Sequence, residues 1–482
     1  MIGIVMTVTT QIAQPPTHVA TQRPILNPAG LLTLLLGAAL PMIDFFIVNV
    51  ALSAIAADLH ASTAALEMVV AAYGIAYSLL LVFGGRLGDT FGRRRLFVVG
   101  LAAFTATSLV CGLAPGIVTL IAARVAQGAA GALMFPQVLS MIQTATEGER
   151  RSSALGYYGA TGGLAAVVGQ VVGGALVTAD IAGTGWRPIF LVNVPIGLAG
   201  LLLARSTLPE TRSAHPLGVD GKGTAMFGVA LLALLVPLTQ GHALGWPMWT
   251  WLLLTAVPFV AVAFVAVERR LERTGHAVPL LPPSILRLGT MRKGLGIVLP
   301  FFTGFGGFMF VYAVVAQEAL GLGAFGSGLG LAPLAAGFFA TSITSSRLVA
   351  RLGKRVIVLG AAVQAIGLLM LIATLLVTWP AGVLVLAPGM LVTGLGQGMV
   401  VATLFRVVLS QVPAERAGVG SGVLTTTQQT SLALGTALLG SLFAAVAEQI
   451  GMRDGFIAVM TLQVLAAFAI MRLASRLPDP RG

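Results

Sequence analysis

Charge is scarce in this chain. Only 9% of its 482 residues are Asp, Glu, Lys or Arg, and only 16 are acidic. A soluble protein of this length covers its surface with such groups, whereas a chain that crosses lipid many times has to leave them out. Cysteine is all but absent. Cys111 stands alone in an apolar run, which excludes a disulfide framework and a cysteine metal site. Also missing are a nucleophile paired with a base, a cluster of metal ligands and a phosphate-cradling glycine loop, so an enzyme is not expected. The first 28 residues lack the basic stretch followed by an apolar one that marks a secretory signal, and read as a flexible tail.

What the chain has in plenty is hydrocarbon, with 57% of its residues hydrophobic. Apolar runs long enough to cross a ~30 Å hydrocarbon core as helices occupy 30–52, 67–85, 96–114, 117–140, 154–178, 187–204, 223–241, 248–267, 295–315, 326–346, 356–377, 381–409, 417–446 and 455–473. That is an even count, so both termini share one side. The basic loops 86–95, 205–222, 268–293 and 347–355 then fall together, on the face that the positive-inside rule assigns to the cytoplasm. Of 28 Lys and Arg, only Arg124, Arg187, Arg406 and Arg453 lie elsewhere. The net charge of +12 is therefore an orientation signal and a contact with anionic lipid head groups, with no nucleic-acid partner expected.

The densest charge cluster is Gly85-Arg86-Leu87-Gly88-Asp89-Thr90-Phe91-Gly92-Arg93-Arg94-Arg95, expected as a tight loop between the second and third spans. Gly85, Asp89, Gly92, Arg93 and Arg94 match Gly-x-x-x-Asp-x-x-Gly-Arg-[Arg/Lys], and the stretch resembles the loop motif of the major facilitator superfamily. The second half echoes the first: Arg347 to Arg355 repeats the spacing of Arg86 to Arg94, and Gln397-Gly398 repeats Gln127-Gly128. The resemblance implies an all-α integral membrane fold of two six-helix bundles related along the membrane normal, with the site between them near the midplane. Residues 29–205 and 294–474 are the expected bundles. Residues 206–293 are a linker with two extra spans, and 1–28 and 475–482 are cytoplasmic tails. That insertion resembles the fourteen-span drug:proton antiporters. So do Ile43 to Leu52, Arg124-Val125-Ala126-Gln127-Gly128, and Trp186 to Gly197, where Pro188 stands at a usual Trp.

Asp44 is the only acid placed well inside a span. Desolvation disfavours an ionised carboxylate there, so it is a candidate carrier of a proton or a cationic substrate; the plainer reading is a hydrogen bond to a neighbouring helix. Arg124 cannot shed its charge and needs a carboxylate, carbonyl or water beside it; the resemblance implies a part in proton coupling. Glu318 sits at the outer end of its span as a second protonatable or cation-attracting group, or else a solvated loop carboxylate; Glu67 reads in the same way. Gly163, Gly169, Gln170, Gly173 and Gly174 resemble the antiporter-type helix of exporters, with Gln170 in place of its proline. Glycines four apart also serve close helix packing. Asn49, Gln127, Tyr157, Gln428 and Gln429 are candidate substrate-lining groups or interhelical hydrogen bonders. Asp89 is expected against the helix start near Ala417–Gly420, and Arg93 against Glu147 or Glu149.

The resemblance implies proton-coupled efflux of a lipophilic small molecule across a bacterial inner membrane by alternating access. The expected partners are that molecule, protons and membrane lipid. A proton gradient and no cofactor drives the cycle, and a monomer is expected. The alternatives are a uniporter or importer of the same fold, or a non-transporting sensor.

Overall fold

The computed structural model describes residues 26–212, 220–241, 244–274, 279–380, 382–412 and 417–477. Most of the expected tails, and parts of the loops 205–222 and 268–293, lie outside them. A backbone crossing lipid must bond all its polar groups internally, which leaves helices for a chain with this composition. Among the described residues, fourteen helical stretches are long and apolar enough to cross a membrane, the sixth of them Pro188–Thr207. Their main helices are α1 (Pro28–Ile47), α2 (Thr63–Phe91), α3 (Arg93–Gly112), α4 (Ile117–Ala145), α5 (Gly148–Ala179), α6 (Asn193–Thr207), α7 (Gly221–Gln240), α8 (Met248–Thr274), α9 (Gly289–Val314), α10 (Ala332–Leu352), α11 (Arg355–Val377), α12 (Val383–Leu409), α13 (Ala417–Ile450) and α14 (Met452–Ser475). The described residues contain no strand.

The two halves pack by the same pairings. In the first, α2 lies on α4, α3 on α4, α1 on α5 and α3 on α6; in the second, α10 lies on α12, α11 on α12, α9 on α13 and α11 on α14. The halves meet where α5 crosses α10 and where α2 crosses α13, which are again equivalent contacts. The expected loop 86–95 proves to be hardly a loop. Helix α2 runs through the motif to Phe91 and α3 begins at Arg93, so Gly92 alone makes the break, at φ 103°. The second half turns in the same way, with Gly353 at φ 57° after Leu352. Both angles are in the region that a side chain rarely adopts, which accounts for glycine at each.

The inserted pair is not a mere spacer. Helix α7 packs on both α2 and α13, against the seam between the halves, and Ser441 on α13 donates to the Leu238 carbonyl at 2.6 Å. Helix α8 packs on α7 and turns Phe259 and Val262 outward, as a lipid-facing helix does. At the arginine-rich end, buried Arg86 donates to the Pro279 carbonyl beyond α8, and Glu268 of α8 accepts from the Leu281 amide at 2.7 Å.

The glycines of α5 divide between two neighbours. Gly169 and Gly173 face α1, where a Cβ would lie 2.7 Å from the Ile43 carbonyl oxygen and 2.6 Å from Ile47 Cγ1. Gly163 and Gly174 face the other half, against the Phe338 ring and the Ala324 carbonyl. These approaches are those of close helix packing. Gln170, fully buried between them, donates to the Met309 carbonyl of α9 at 3.3 Å and ties the halves together.

At the end away from Arg93, the short helix Leu52–Leu59 is tied by Asp58, which accepts from Arg187 at 2.7 Å and Trp186 at 3.0 Å. Those two donors hold the Asp58 carboxyl below the usual carboxylate range.

Two predictions follow from these contacts. Gly169→Val should cost about 1–3 kcal/mol through overpacking and lower the thermal midpoint in detergent, whereas Gly156→Ala, with nothing within 4 Å, should not. The Asp58 tie has a depressed folded pKa, so it is intact at neutral pH and is lost only as pH falls through that value, below about 3.9. Hydrogen exchange of 52–59, corrected for intrinsic rates, should stay constant from neutral pH to about pH 4 in the native chain, and should already be raised at neutral pH in Asp58→Asn.

Candidate transport site

Five helices of the first half converge on one buried ion pair. Asp44 of α1 and Arg124 of α4 are both fully buried and bonded to each other, Arg124 donating through Nη1. Gln127, one turn along α4, donates to Asp44 Oδ1 at 2.8 Å, and Asn193 of α6 does the same at 2.8 Å. Arg124 Nε donates to the Val69 carbonyl of α2 at 3.1 Å, and Nη1 also reaches Gln127 Oε1 at 2.8 Å. Ser108 of α3 accepts from Gln127 at 2.8 Å. The guanidinium lies over the Tyr73 ring, 4.2 Å from its centroid. Three N–H donors aimed at one carboxylate suit its ionised form, since a protonated oxygen would turn an O–H toward one of those donors. Asp44 is therefore far from the isolated carboxylate that its sequence context describes.

A cavity of about 870 Å³ opens between the halves at the end away from Arg93. Helices α2 and α13 form most of its wall, joined by the short helix Leu52–Leu59, by Phe45 of α1 and by Phe310 and Val314 of α9, and Leu235 and Thr239 of α7 close its side. Phe45 and Asn49 line it, so Asp44 sits just behind the wall and not in it. Toward the other end, rings shut the passage. Tyr73 stacks on Tyr77 at 5.6 Å, Tyr77 meets Phe135, Phe135 meets Tyr158, and Tyr158 of α5 meets Phe405 of α12, each at 5.8 Å. That last contact crosses from one half to the other. The arrangement is open to one face and closed to the other.

Several expected residues take other places. Gln127 belongs to the Asp44 network and not to the cavity lining. Tyr157 is 53% exposed and away from the cavity, while its neighbour Tyr158 turns inward to the ring series. Gln428 lines the narrow space among the rings, and Gln429 reaches the Met42 sulfur at 3.5 Å, so neither faces the large cavity. Asn49 and Glu318 do line it. Glu67 does so too, from within α2 and with Oε2 buried, which replaces the expectation of a solvated loop carboxylate. Arg93 pairs with Asp89 at 2.7 Å and donates to Thr144 at 3.1 Å, in place of Glu147 or Glu149. The near end of α2 brings its own acid within one turn, so Asp89 takes Arg93 as its partner. The Ala417–Val419 side chains, its expected seat, lie outside the described residues. Arg94 and Gly92 pack instead on Glu210, just after α6.

Asn193 and Ser108 were not singled out by the sequence reading as part of this site. Asn193 lies in the Trp186–Gly197 block and offered a signal there; Ser108, a lone hydroxyl in an apolar run, offered none.

The family model of the Major Facilitator Superfamily matches residues 34–224 and 221–436. Similar curated proteins include the "Probable actinorhodin transporter" of Streptomyces coelicolor, 39% identical over 86% of this chain and 72% of that one. The "Puromycin resistance protein pur8" of Streptomyces alboniger is 33% identical over 86% and 81%. The "Cephamycin export protein CmcT" of Amycolatopsis lactamdurans is 36% identical over 83% and 82%. Among solved structures, the human organic anion transporter MFSD10 (TETRAN) superposes with a TM-score of 0.62 over 92% of this chain and 100% of that one, at 15% identity. That likeness concerns the fold alone.

Removing one member of the buried pair leaves the other uncompensated. Arg124→Met should destabilise by roughly 3–5 kcal/mol, and adding Asp44→Asn should recover most of the loss, as read by thermal unfolding of the single and double variants.

Proposed function

Since the chain belongs to the Major Facilitator Superfamily, we propose that it exports lipophilic small molecules from a bacterial cell by proton-driven alternating access. One observation carries the reading: a cavity of about 870 Å³, closed toward the arginine-rich end, with a buried carboxylate–guanidinium pair directly behind its wall. The names of its relatives, which speak of export and resistance, favour the outward direction. The arginine-rich face and both termini are assigned to the cytoplasm of the inner membrane by the positive-inside rule. The cavity then faces outward.

In this cycle the proton and the substrate use different groups. A proton reaching Asp44 from the cavity side displaces one of its three donors, and Arg124 is freed from its main counter-charge. The helices α1, α4 and α6 held by those bonds shift, and the contact of Tyr158 with Phe405 opens toward the cytoplasm. Substrate enters from that side, Asp44 releases its proton, and the pair re-forms as the cavity turns outward. Inward movement of one proton is worth about 2.3 kcal/mol per 100 mV, enough to hold a concentration ratio of roughly fifty for a neutral substrate. The pair Asp89–Arg93 and the contacts on Glu210 brace the cytoplasmic end of the first half during the outward-facing state.

The test is transport in proteoliposomes with an imposed proton gradient. The native chain should accumulate a lipophilic dye only when the gradient is present. Asp44→Asn should fold, bind the dye and lose gradient-driven movement by about tenfold or more. Dye movement that ignores the gradient in the native chain favours a uniporter, and retained coupling in Asp44→Asn removes Asp44 from the proton path.

A further inference from the structure

Several arginines at the closed end are matched to acceptors within the protein. Arg93 pairs with Asp89 and Arg94 with Glu210, while Arg86 donates to the Pro279 carbonyl. Arg269, Arg287 and Arg292 are not matched. Each is exposed, and none takes part in an ion pair or a side-chain hydrogen bond among the described residues. They come from three different elements: Arg269 from the end of α8, Arg287 from the short helix Pro283–Arg287, and Arg292 from the first turn of α9. All three nevertheless line one cavity of about 140 Å³, which is walled as well by apolar side chains such as Phe264 and Leu286.

The one acid among the described lining residues is Glu268. It is buried, and its carboxylate accepts from the Leu281 amide at 2.7 Å. Glu272, the next acid along α8, is engaged in the same way by the Ser284 amide at 3.1 Å. Three guanidinium groups around one opening repel one another, and neither acid is turned toward them. An anion from outside offsets that repulsion, and the guanidinium fork fits the oxygens of a phosphate.

The flank of the cavity distinguishes a lipid from a free anion. Phe259, Val262 and Val265 of α8 are exposed, and with Arg269 they follow one another at intervals of three, three and four residues. That spacing puts them on one face of the helix, so an apolar stripe runs from the lipid-facing middle of α8 to the rim of the cavity. A headgroup phosphate at the arginines and an acyl chain along the stripe use both features at once. An inorganic anion uses only the first.

We infer that the corner between α8, the helix Pro283–Arg287 and α9 is a binding site for an anionic phospholipid of the adjoining leaflet, with Arg269, Arg287 and Arg292 holding its phosphate. The main protein support of α8 is α7. The lipid adds a second, because it bridges the inserted pair to the first helix of the second half. The site is separate from the cavity between the halves and does not depend on what that cavity carries.

The test is equilibrium binding of dioctanoyl phosphatidylglycerol and dioctanoyl phosphatidylcholine to the delipidated full chain in a neutral detergent. Phosphatidylglycerol should bind at least about tenfold more tightly than phosphatidylcholine. The combined changes Arg269→Gln, Arg287→Gln and Arg292→Gln should remove most of that preference. A control chain with the same loss of charge, through Arg150→Gln, Arg205→Gln and Arg472→Gln at other exposed positions, should keep it. Size-exclusion behaviour checks that both chains are folded, and the three single variants at the site, each losing part of the preference, keep the comparison readable if the combined one is not. Equal binding of the two lipids, an undiminished preference without the three arginines, or equal losses in the site and control chains would each overturn the inference. So would displacement of phosphatidylglycerol by inorganic phosphate at matched concentration, which is the behaviour of a free-anion site.

Discussion

Everything in the first half of this molecule is arranged around one ion pair. A guanidinium that cannot be discharged has been placed in the middle of a membrane-spanning bundle, and it needs a carboxylate together with donors and acceptors for every remaining lone pair and proton. Asp44, Gln127, Asn193, Ser108 and the Val69 carbonyl supply most of them from five helices, while Arg124 Nη2 has no hydrogen-bond partner among the described residues. Breaking any one bond leaves a polar group stranded in low dielectric, so the helices that carry the partners move together or not at all.

Among the described residues, the second half has no such centre in the same place, although it packs by the same pairings. Gln397 stands where Gln127 stands in the repeat, and its amide atoms are buried without a hydrogen-bond partner among the described residues. The duplicated architecture is thus chemically one-sided. The buried ion pair belongs to the first half, and the second half contributes the opposing wall of the cavity through α9 and α13 and the last ring of the closed passage through Phe405. The inserted helix α7 completes that wall along the seam, which gives the first of the two extra spans a place in the cavity wall and not only in the connection.

Much of the fold was legible because composition and periodicity are local. Runs of apolar residues gave the fourteen spans, and the arginines gave their common face. Where the sequence reading went astray, a neighbour in space was responsible. The motif at 86–95 looked like a loop because it is charged, but its residues continue α2 to Phe91 and only Gly92 breaks the helix. Glu67 looked like a rim group because it is near a span's start, but the cavity reaches down to it. Tyr157 and Tyr158 are adjacent and chemically identical; which one turns inward depends on helix phase against Phe135 and Phe405.

By itself, the sequence determined that the chain crosses a membrane fourteen times, that its halves repeat, that Asp44 and Arg124 are intramembrane charges, and that one face is basic. These follow from hydrophobicity, spacing and the cost of charge in lipid, each read within a span or its flanking loops. Only the tertiary structure decided that the two charges meet, with partners as far as 149 residues apart. It alone decided that the glycines of α5 serve two different neighbours, and that acids and no bases stand among the described residues of the cavity wall. Contacts of that kind depend on which helix faces which, and helix orientation in a bundle is set by packing across the whole chain, which no local pattern encodes.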